Sequence, residues 1–285
     1  TKFSVLSKLK VGLSMETKMW SEFLAPYRLA VDELVVKLNH IIEEYRAMGM
    51  YSPIEQVIGR VKRISSIIEK AQKKGIPLYD VENRIEDIAG IRIICQFEDD
   101  IANVIKMIKS RSDLQIHEEK DYISNQKSSG YRSYHLIATY DVETLTGKKT
   151  VKVEIQVRTL AMNFWAIIEH SLQYKYKGNM PETVSMRLKN AAAAIVQLDN
   201  EMSAIRNEIV DAQNSFRIKA GIVSQILNNI QNLYKVANDR EVAKIQKEFY
   251  DIYAKDDLNT LSKFCKELDS ISEGYRSQSL PERNL

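Results

Sequence analysis

The sequence predicts an α+β fold: a mixed sheet of four or five strands flanked by helices and followed by a helical extension. Three observations predict it. Apolar residues at helical spacing dominate both ends of the chain. Between about residues 80 and 160 the apolar period drops to two. The clearest alternating stretch follows its predecessor across a glycine-containing turn, as in an antiparallel hairpin.

Taken in order, Leu34, Leu38, Ile41, Ile42 and Tyr45 share one helical face, so residues 20–46 read as an amphipathic helix that Gly49, Ser52 and Pro53 end. A second helix carries Ile64, Ile67, Ile68 and Ala71 and closes at Gly75 and Pro77. Ile91, Ile93, Cys95 and Phe97 then alternate with Arg92, Ile94 and Gln96 as a strand. Residues 100–110 return to helix, and Tyr134 to Val142 is a further strand. After the turn in DVETLTGKKT, VKVEIQVRT places Val151, Val153, Ile155 and Val157 on one face and Lys152, Glu154, Gln156 and Arg158 on the other. From Leu160 the pattern is helical. A long helix over 183–215 is suited to packing on another subunit, and shorter ones follow over 222–233, 242–252 and 258–271. The final RSQSLPERNL is expected to be mobile.

A chain of 285 residues accommodates one domain of about 200 residues with additions, or two domains. Its 44% apolar content and its few Gly (10) and Pro (5) exclude disorder. The balance of 41 Lys+Arg against 38 Asp+Glu, a net +3, does not by itself announce a nucleic-acid binder. Cys95 and Cys265 make neither a disulfide framework nor a thiolate metal site. No apolar signal stretch opens the sequence and no run approaches the ~20 residues of a membrane span. A cytoplasmic protein without a membrane partner is expected.

A lone alternating strand ordinarily has one solvated face. Here neighbouring segments offer matching chemistry. Asp87, in EDIAGIR at the entrance to the strand bearing Arg92, would bind Mg²⁺ together with Glu154 if the two converge, because Mg²⁺ takes one or two carboxylates and leaves its other positions to phosphates and water. In GRVKRISSIIEK, Lys62, Ser66 and Lys70 are four apart and form one helical stripe, with Arg60 and Arg63 near its start. Either a solvated helix face or a triphosphate cradle fits that stripe. No Walker A pattern occurs, so phosphates would be held by side chains. The four histidines show no HExxH, no His-Asp pair and no zinc spacing, and no serine sits in a GxSxG elbow. In KSSGYRSYH, Tyr131 could stack on a base and Lys127 reach a phosphate; cross-strand packing is the ordinary alternative for Tyr131, and a satisfied core histidine for His135.

Four segments, GRVKRISSIIEK, EDIAGIRIICQF, KDYISNQKSSGYRSYH and VEIQVRTLAMNFWAIIEHSLQYK, together resemble the synthetase domain of the RelA/SpoT alarmone synthetases, in particular the small single-domain RelQ type, over about residues 20–215. The resemblance implies a nucleotidyltransferase-like core that transfers pyrophosphate from ATP to the ribose 3′-OH of GDP or GTP, with GMP a further candidate acceptor, and releases AMP. It implies that Arg60, Lys62, Ser66 and Lys70 hold the ATP phosphates and that Arg92 lies against adenine. Asp87 and Glu154 would serve Mg²⁺, with Glu154 also the base for the 3′-OH. Tyr131 would stack on guanine, Lys127, His135, Gln156 and Asn163 would line the acceptor side, and Lys120 would join Lys127 near the acceptor's 5′ phosphates. It divides the chain into an N-terminal helical segment (1–50), the catalytic core (51–180), a long helix (181–215) and a helical extension (216–285) that the resemblance does not reach.

Without a His-Asp doublet, synthesis without alarmone hydrolysis is expected. Relatives of this type resemble one another in forming homotetramers through their helices. In the segments expected near the central cleft this chain offers the uncharged Val35, Asn39, Gln56 and Ile58, so activation by alarmone is not assumed. Two other readings stay open: a relative that pyrophosphorylates the 3′ end of tRNA, which should show an extended basic surface, and a non-catalytic RNA- or nucleotide-binding regulator, against which the Asp87/Glu154 pair argues.

Overall fold

The alternating stretches supply the apolar face a sheet needs. The computed structural model describes residues 2–176, 180–235 and 237–278, with side chains over 19–275 of that span. Its elements run α1 (Lys2–Ala47), β1 (Gln56–Val61), α2 (Ile64–Lys74), a 3₁₀ turn at Leu78–Asp80, α3 (Val81–Arg84), β2 (Ala89–Cys95), α4 (Glu98–Lys109), β3 (Gln115–Asp121), β4 (Tyr134–Thr144), β5 (Gly147–Thr159), α5 (Leu160–Lys175), α6 (Glu182–Leu233), α7 (Asp239–Tyr253) and α8 (Leu258–Gln278). Residues 279–285, most of the terminal stretch expected to be mobile, lie outside the described residues.

The mixed sheet has five strands in the order β1-β2-β5-β4-β3. Only β2 and β5 are parallel. In the register Ile91 stands beside Ile155 and Leu136 on the far side of it, so one face carries Val57, Ile91, Ile93, Val153, Ile155, Val157, Leu136 and Ala138, all buried. Tyr27, Val31, Leu34 and Leu38 of α1 and Ile101, Val104 and Ile108 of α4 belong to the same core. The opposite face carries Arg60, Arg92, Glu154, Gln156, Arg158, His135 and Lys120.

Two strands differ from the sequence reading in place. β1 precedes the alternating region, and its QVIGRV hides a strand because Gly59 interrupts the apolar set. That glycine is required: a Cβ there would come within 2.5 Å of Val31 and 2.6 Å of Val35 on α1. β3, QIHEEKD, is a charged edge strand with a register shift between Ile116 and Glu118, and charge on an edge discourages strand addition. The helices expected over 183–215 and 222–233 are one helix, α6, and Gly221 is tolerated within it.

The chain divides into two units between Ser203 and Ala204. In the second, Ile226, Ile230 and Leu233 of α6 pack with Val242 and Phe249 of α7 and Leu261, Phe264 and Leu268 of α8. Asn238 caps α7 by accepting from the Arg240 N–H at 3.0 Å.

Gly59→Ala should push α1 off the sheet and cost about 1–3 kcal/mol, the usual range for overpacking. Adding Val35→Ala should restore part of the loss in a denaturant titration, since it removes one of the two clashing side chains.

Candidate active site

Around β5 the polar sheet face is not a solvated one: Glu154 and Gln156 are half-buried, His135 is buried and Arg158 is only 2% exposed, whereas Arg60 on β1 is exposed. Two groups of side chains meet there.

The first surrounds Asp87, in the turn into β2. The Lys62 N–H donates to Ile88 O at 2.8 Å, which fixes the end of β1 against that turn. From there Lys62 Nζ donates to Asp87 Oδ2 at 2.7 Å. Lys70, one helical turn and more along α2, brings Nζ to 2.9 Å from Asp87 Oδ1. That second contact is an ion pair without hydrogen-bond geometry, so Oδ1 is buried without a directed hydrogen bond. Burial pushes the Asp87 carboxyl up, but the two ammonium groups outweigh it and hold it below its ordinary value. Ser66 lies half-buried on α2 one turn before Lys70, but Lys62, expected on the same helical stripe, precedes the helix and Arg60 belongs to β1, because the strand runs on to Val61 and the helix starts only at Ile64. Arg60 on β1 stands across from Gly90, and Arg92 on β2 lies between Ile58 and Gln156. Arg92 is half-buried, its Nε has no hydrogen-bond partner among the described residues, and burial together with Arg60 pushes its pKa down.

The second group is a closed ring of five side chains. His135 Nδ1 lies 3.1 Å from Glu154 Oε1, and His135 Nε2 lies 2.8 Å from the Tyr131 hydroxyl. Arg158 Nη2 donates to the Tyr131 oxygen at 2.9 Å and to Gln156 Oε1. Gln156 Nε2 donates to Glu154 Oε2 at 2.8 Å and closes the ring. Since a carboxylate only accepts, the neutral imidazole carries its proton on Nδ1, and the Tyr131 O–H donates to Nε2. Burial raises the Glu154 carboxyl; hydrogen bonds from His135 and Gln156 outweigh burial and the nearby charge of Asp87, so its pKa lies below the ordinary value.

Tyr131 reaches this ring from the loop between β3 and β4, which is tied down at several points. Arg132 pairs with both Glu98 oxygens, at 2.9 and 3.2 Å. Ser133 Oγ donates to Val157 O at 3.2 Å. Gly130 has φ +93°, and a Cβ there would lie 2.6 Å from that of Ala192 on α6. Trp165 of α5, whose Nε1 donates to Leu188 O at 2.9 Å, packs beside Tyr131. Thr159 Oγ1 caps α5 through the Met162 N–H at 3.1 Å and donates to Asp199 at 2.8 Å.

The sequence-predicted residues thus fall into place unequally. Asp87, Lys62 and Lys70 form one cluster, and Glu154, His135, Gln156 and Tyr131 form the ring. Lys127 lies over the Tyr122 and Tyr131 rings at 4.3 and 5.1 Å. Lys120 pairs with Glu118 at 3.1 Å and Glu86 at 3.3 Å. Asn163 stands on α5 with a buried Oδ1 that has no partner. Two residues were not singled out from sequence: Arg158, which looked like the end of a solvated face, and Tyr122, whose ring meets His135 edge-on at 5.1 Å. The signal for Arg158 was its place in line with Glu154 and Gln156.

This arrangement sets a carboxylate held by two lysines and a second carboxylate in a hydrogen-bonded ring beside arginines and an aromatic loop. Among the described residues no group of three or more His, Cys, Asp or Glu could hold a metal by itself. The Oδ1 of Asp87, ion-paired with Lys70 but without a directed hydrogen bond, fits a cation that takes its other ligands from a nucleotide. No helix among the described residues is long and apolar enough to cross a membrane.

Residues 59–179 match the family described as a region found in RelA/SpoT proteins. The GTP pyrophosphokinase YjbM of Bacillus subtilis is 54% identical over 205 residues, covering 72% of this chain and 97% of the relative. Among solved structures, the small alarmone synthetase 1 of the same organism bound to its product pppGpp superposes with TM-score 0.66 at 55% identity, covering 67% of this chain and 98% of that one. The same protein bound to AMPCPP superposes with TM-score 0.61 at 51% identity, covering 68% and 99%.

Lys62→Met should leave Asp87 with one cation, and its carboxyl pKa should rise, as followed by ¹³C NMR. A depressed carboxylate pKa contributes stability above its unfolded value that is lost as pH falls through the folded value. The variant should therefore begin to lose that contribution at higher pH than the parent in acid unfolding.

Proposed function

This chain belongs to the RelA/SpoT family, and on that premise we propose that it is a GTP pyrophosphokinase, transferring the β,γ-pyrophosphate of ATP to the ribose 3′-OH of GDP or GTP, with GMP a further acceptor, to give (p)ppGpp and AMP. The observation that supports the reading is the cluster of Asp87, Lys62 and Lys70 at the turn into β2, beside the sheet face on which Arg92 neighbours Gln156, Glu154 stands across from Gly90, and the exposed Arg60 flanks Gly90 on the other side. Such a transfer asks little covalent chemistry of the protein. It asks for alignment of the 3′-oxygen with the β-phosphorus and for positive charge around the phosphates.

In this reading Arg60, Lys62, Ser66 and Lys70 grip the ATP phosphates and Arg92 flanks the adenine. Tyr131 is the platform for the acceptor base, with Lys127, His135, Gln156, Asn163 and Lys120 around the acceptor. Asp87 and Glu154 would hold Mg²⁺, which supplies charge neutralisation on the transferred group. Glu154 accepts the hydrogen bond of the 3′-OH and takes its proton as the new O–P bond forms and the α,β bond breaks. Its lowered pKa keeps the carboxylate ionised and so able to accept that proton. The apolar side chains that α5 leaves exposed, Leu160, Phe164, Ile167 and Ile168, support assembly into a homo-oligomer, a tetramer in our reading. A cytoplasmic site of action follows from the substrates.

Purified protein given ATP, Mg²⁺ and GMP, GDP or GTP should release AMP and form a guanosine carrying a 3′-pyrophosphate, resolved by anion-exchange chromatography. Glu154→Gln should lower kcat by at least about 10²-fold, the low end for a positioned acid–base group, with the fold retained by circular dichroism. A near-parental rate in that variant would remove Glu154 from the reaction; product only with tRNA would move the chain to the other acceptor class.

A further inference from the structure

Arg158 is the second-last residue of β5 and is 2% exposed. A guanidinium so deeply buried is normally matched by a carboxylate. Here, among the described residues, its hydrogen-bond partners are two neutral groups, the Tyr131 hydroxyl and the Gln156 amide oxygen, both reached through Nη2, while Nε is left without one. Burial, opposed in part by Tyr131 and reinforced by Arg92, pushes its pKa down to about 10. In register it stands beside Ile94, an apolar neighbour. The sheet alone would be served as well by an aliphatic side chain, since exchanging buried charge for packed apolar volume is often neutral or stabilising. The guanidinium is therefore retained at a cost to the fold.

What it touches shows what the charge achieves. Its carbon lies 5.4 Å from the centroid of the Tyr131 ring, so it both braces that ring and holds its hydroxyl. The Tyr131 oxygen, occupied as an acceptor by Arg158, is left to donate to His135. The Gln156 oxygen, occupied the same way, leaves the Gln156 N–H₂ to donate to Glu154. Two of the five links of the ring are made by Arg158, and a neutral residue there would open the ring at both.

We propose that Arg158 is a positioning residue for the acceptor: it fixes the plane of the Tyr131 ring and the sense of the Gln156 amide, and so sets where the acceptor base stacks. This rests on the reading of Tyr131 as the base platform, which is why the test has one arm that does not depend on turnover.

The first arm is kinetic. Arg158→Met should keep or raise Tm, leave KM for ATP unchanged and raise KM for GDP about tenfold, the loss expected for one charge-assisted hydrogen bond; Arg158→Lys, which restores a donor, should recover part of it. A lowered Tm with no change in the ratio of the two KM values would make Arg158 a structural residue and overturn the proposal. The second arm is the free protein with selectively ¹³C-labelled tyrosine. Flipping of the Tyr131 ring should be slow in the parent and faster in Arg158→Met, and an unchanged rate would equally overturn it. If the parent made no product from any guanine nucleotide, the acceptor reading would fall, and the ring-flip arm would still decide whether Arg158 fixes Tyr131.

Discussion

The site depends on the register of β5. It is the central strand, parallel to β2 on one side and antiparallel to β4 on the other. Because side chains alternate, a slip of one residue would carry Glu154, Gln156 and Arg158 into the apolar core and expose Val153, Ile155 and Val157. The penalty for that exchange pins the strand, and the pinned strand pins the site. Arg92 stands beside Gln156 and His135 beside it on the other edge because Ile91 and Leu136 must flank Ile155. Core packing thus positions groups that have no packing role.

Two carboxylates in one half-buried space would repel each other and one would tend to hold a proton. They avoid this by having separate partners. Asp87 is held anionic by the ammonium groups of Lys62 and Lys70, while Glu154 is held by an imidazole and an amide. The first kind of partner is mobile and charged, the second rigid and tied to the aromatic loop. One carboxylate can therefore change partners cheaply, and the other cannot move without disturbing Tyr131.

How much of this the sequence reveals follows from whether the cause is local. The alternation of β5 and β2 is visible because both strands bury one face completely. Asp87 and Glu154 stand out as carboxylates at a strand entrance and on a strand face, but that Glu154 comes to stand across from Gly90 depends on the β2–β5 pairing, which no local pattern encodes. β1 is obscured because its glycine answers to Val31 and Val35, some 25 residues away in sequence. β3 is obscured because an edge strand may be almost entirely charged. Arg158 is hidden for the same reason as β1: the loop that buries it comes from residues near 131 and is anchored through Glu98, Val157 and Ala192, contacts that no local pattern encodes.

The resting ion pairs also bear on how a nucleotide would enter. Lys62 and Lys70 cannot neutralise Asp87 and a triphosphate with the same geometry, because each ammonium is a single point of charge on a flexible stem. Entry of phosphates with their cation would exchange partners: the lysines turn to the phosphates as the cation takes their place at Asp87. Neither the carboxylate nor the lysines need be left buried and bare at any stage, so the large cost of an uncompensated buried charge is avoided. Arg158 has no such exchange open to it, since its hydrogen-bond partners are neutral and its stem is enclosed. The two ends of this sheet face are thus built oppositely, one to trade charges as a substrate arrives and the other to keep a ring still while it does.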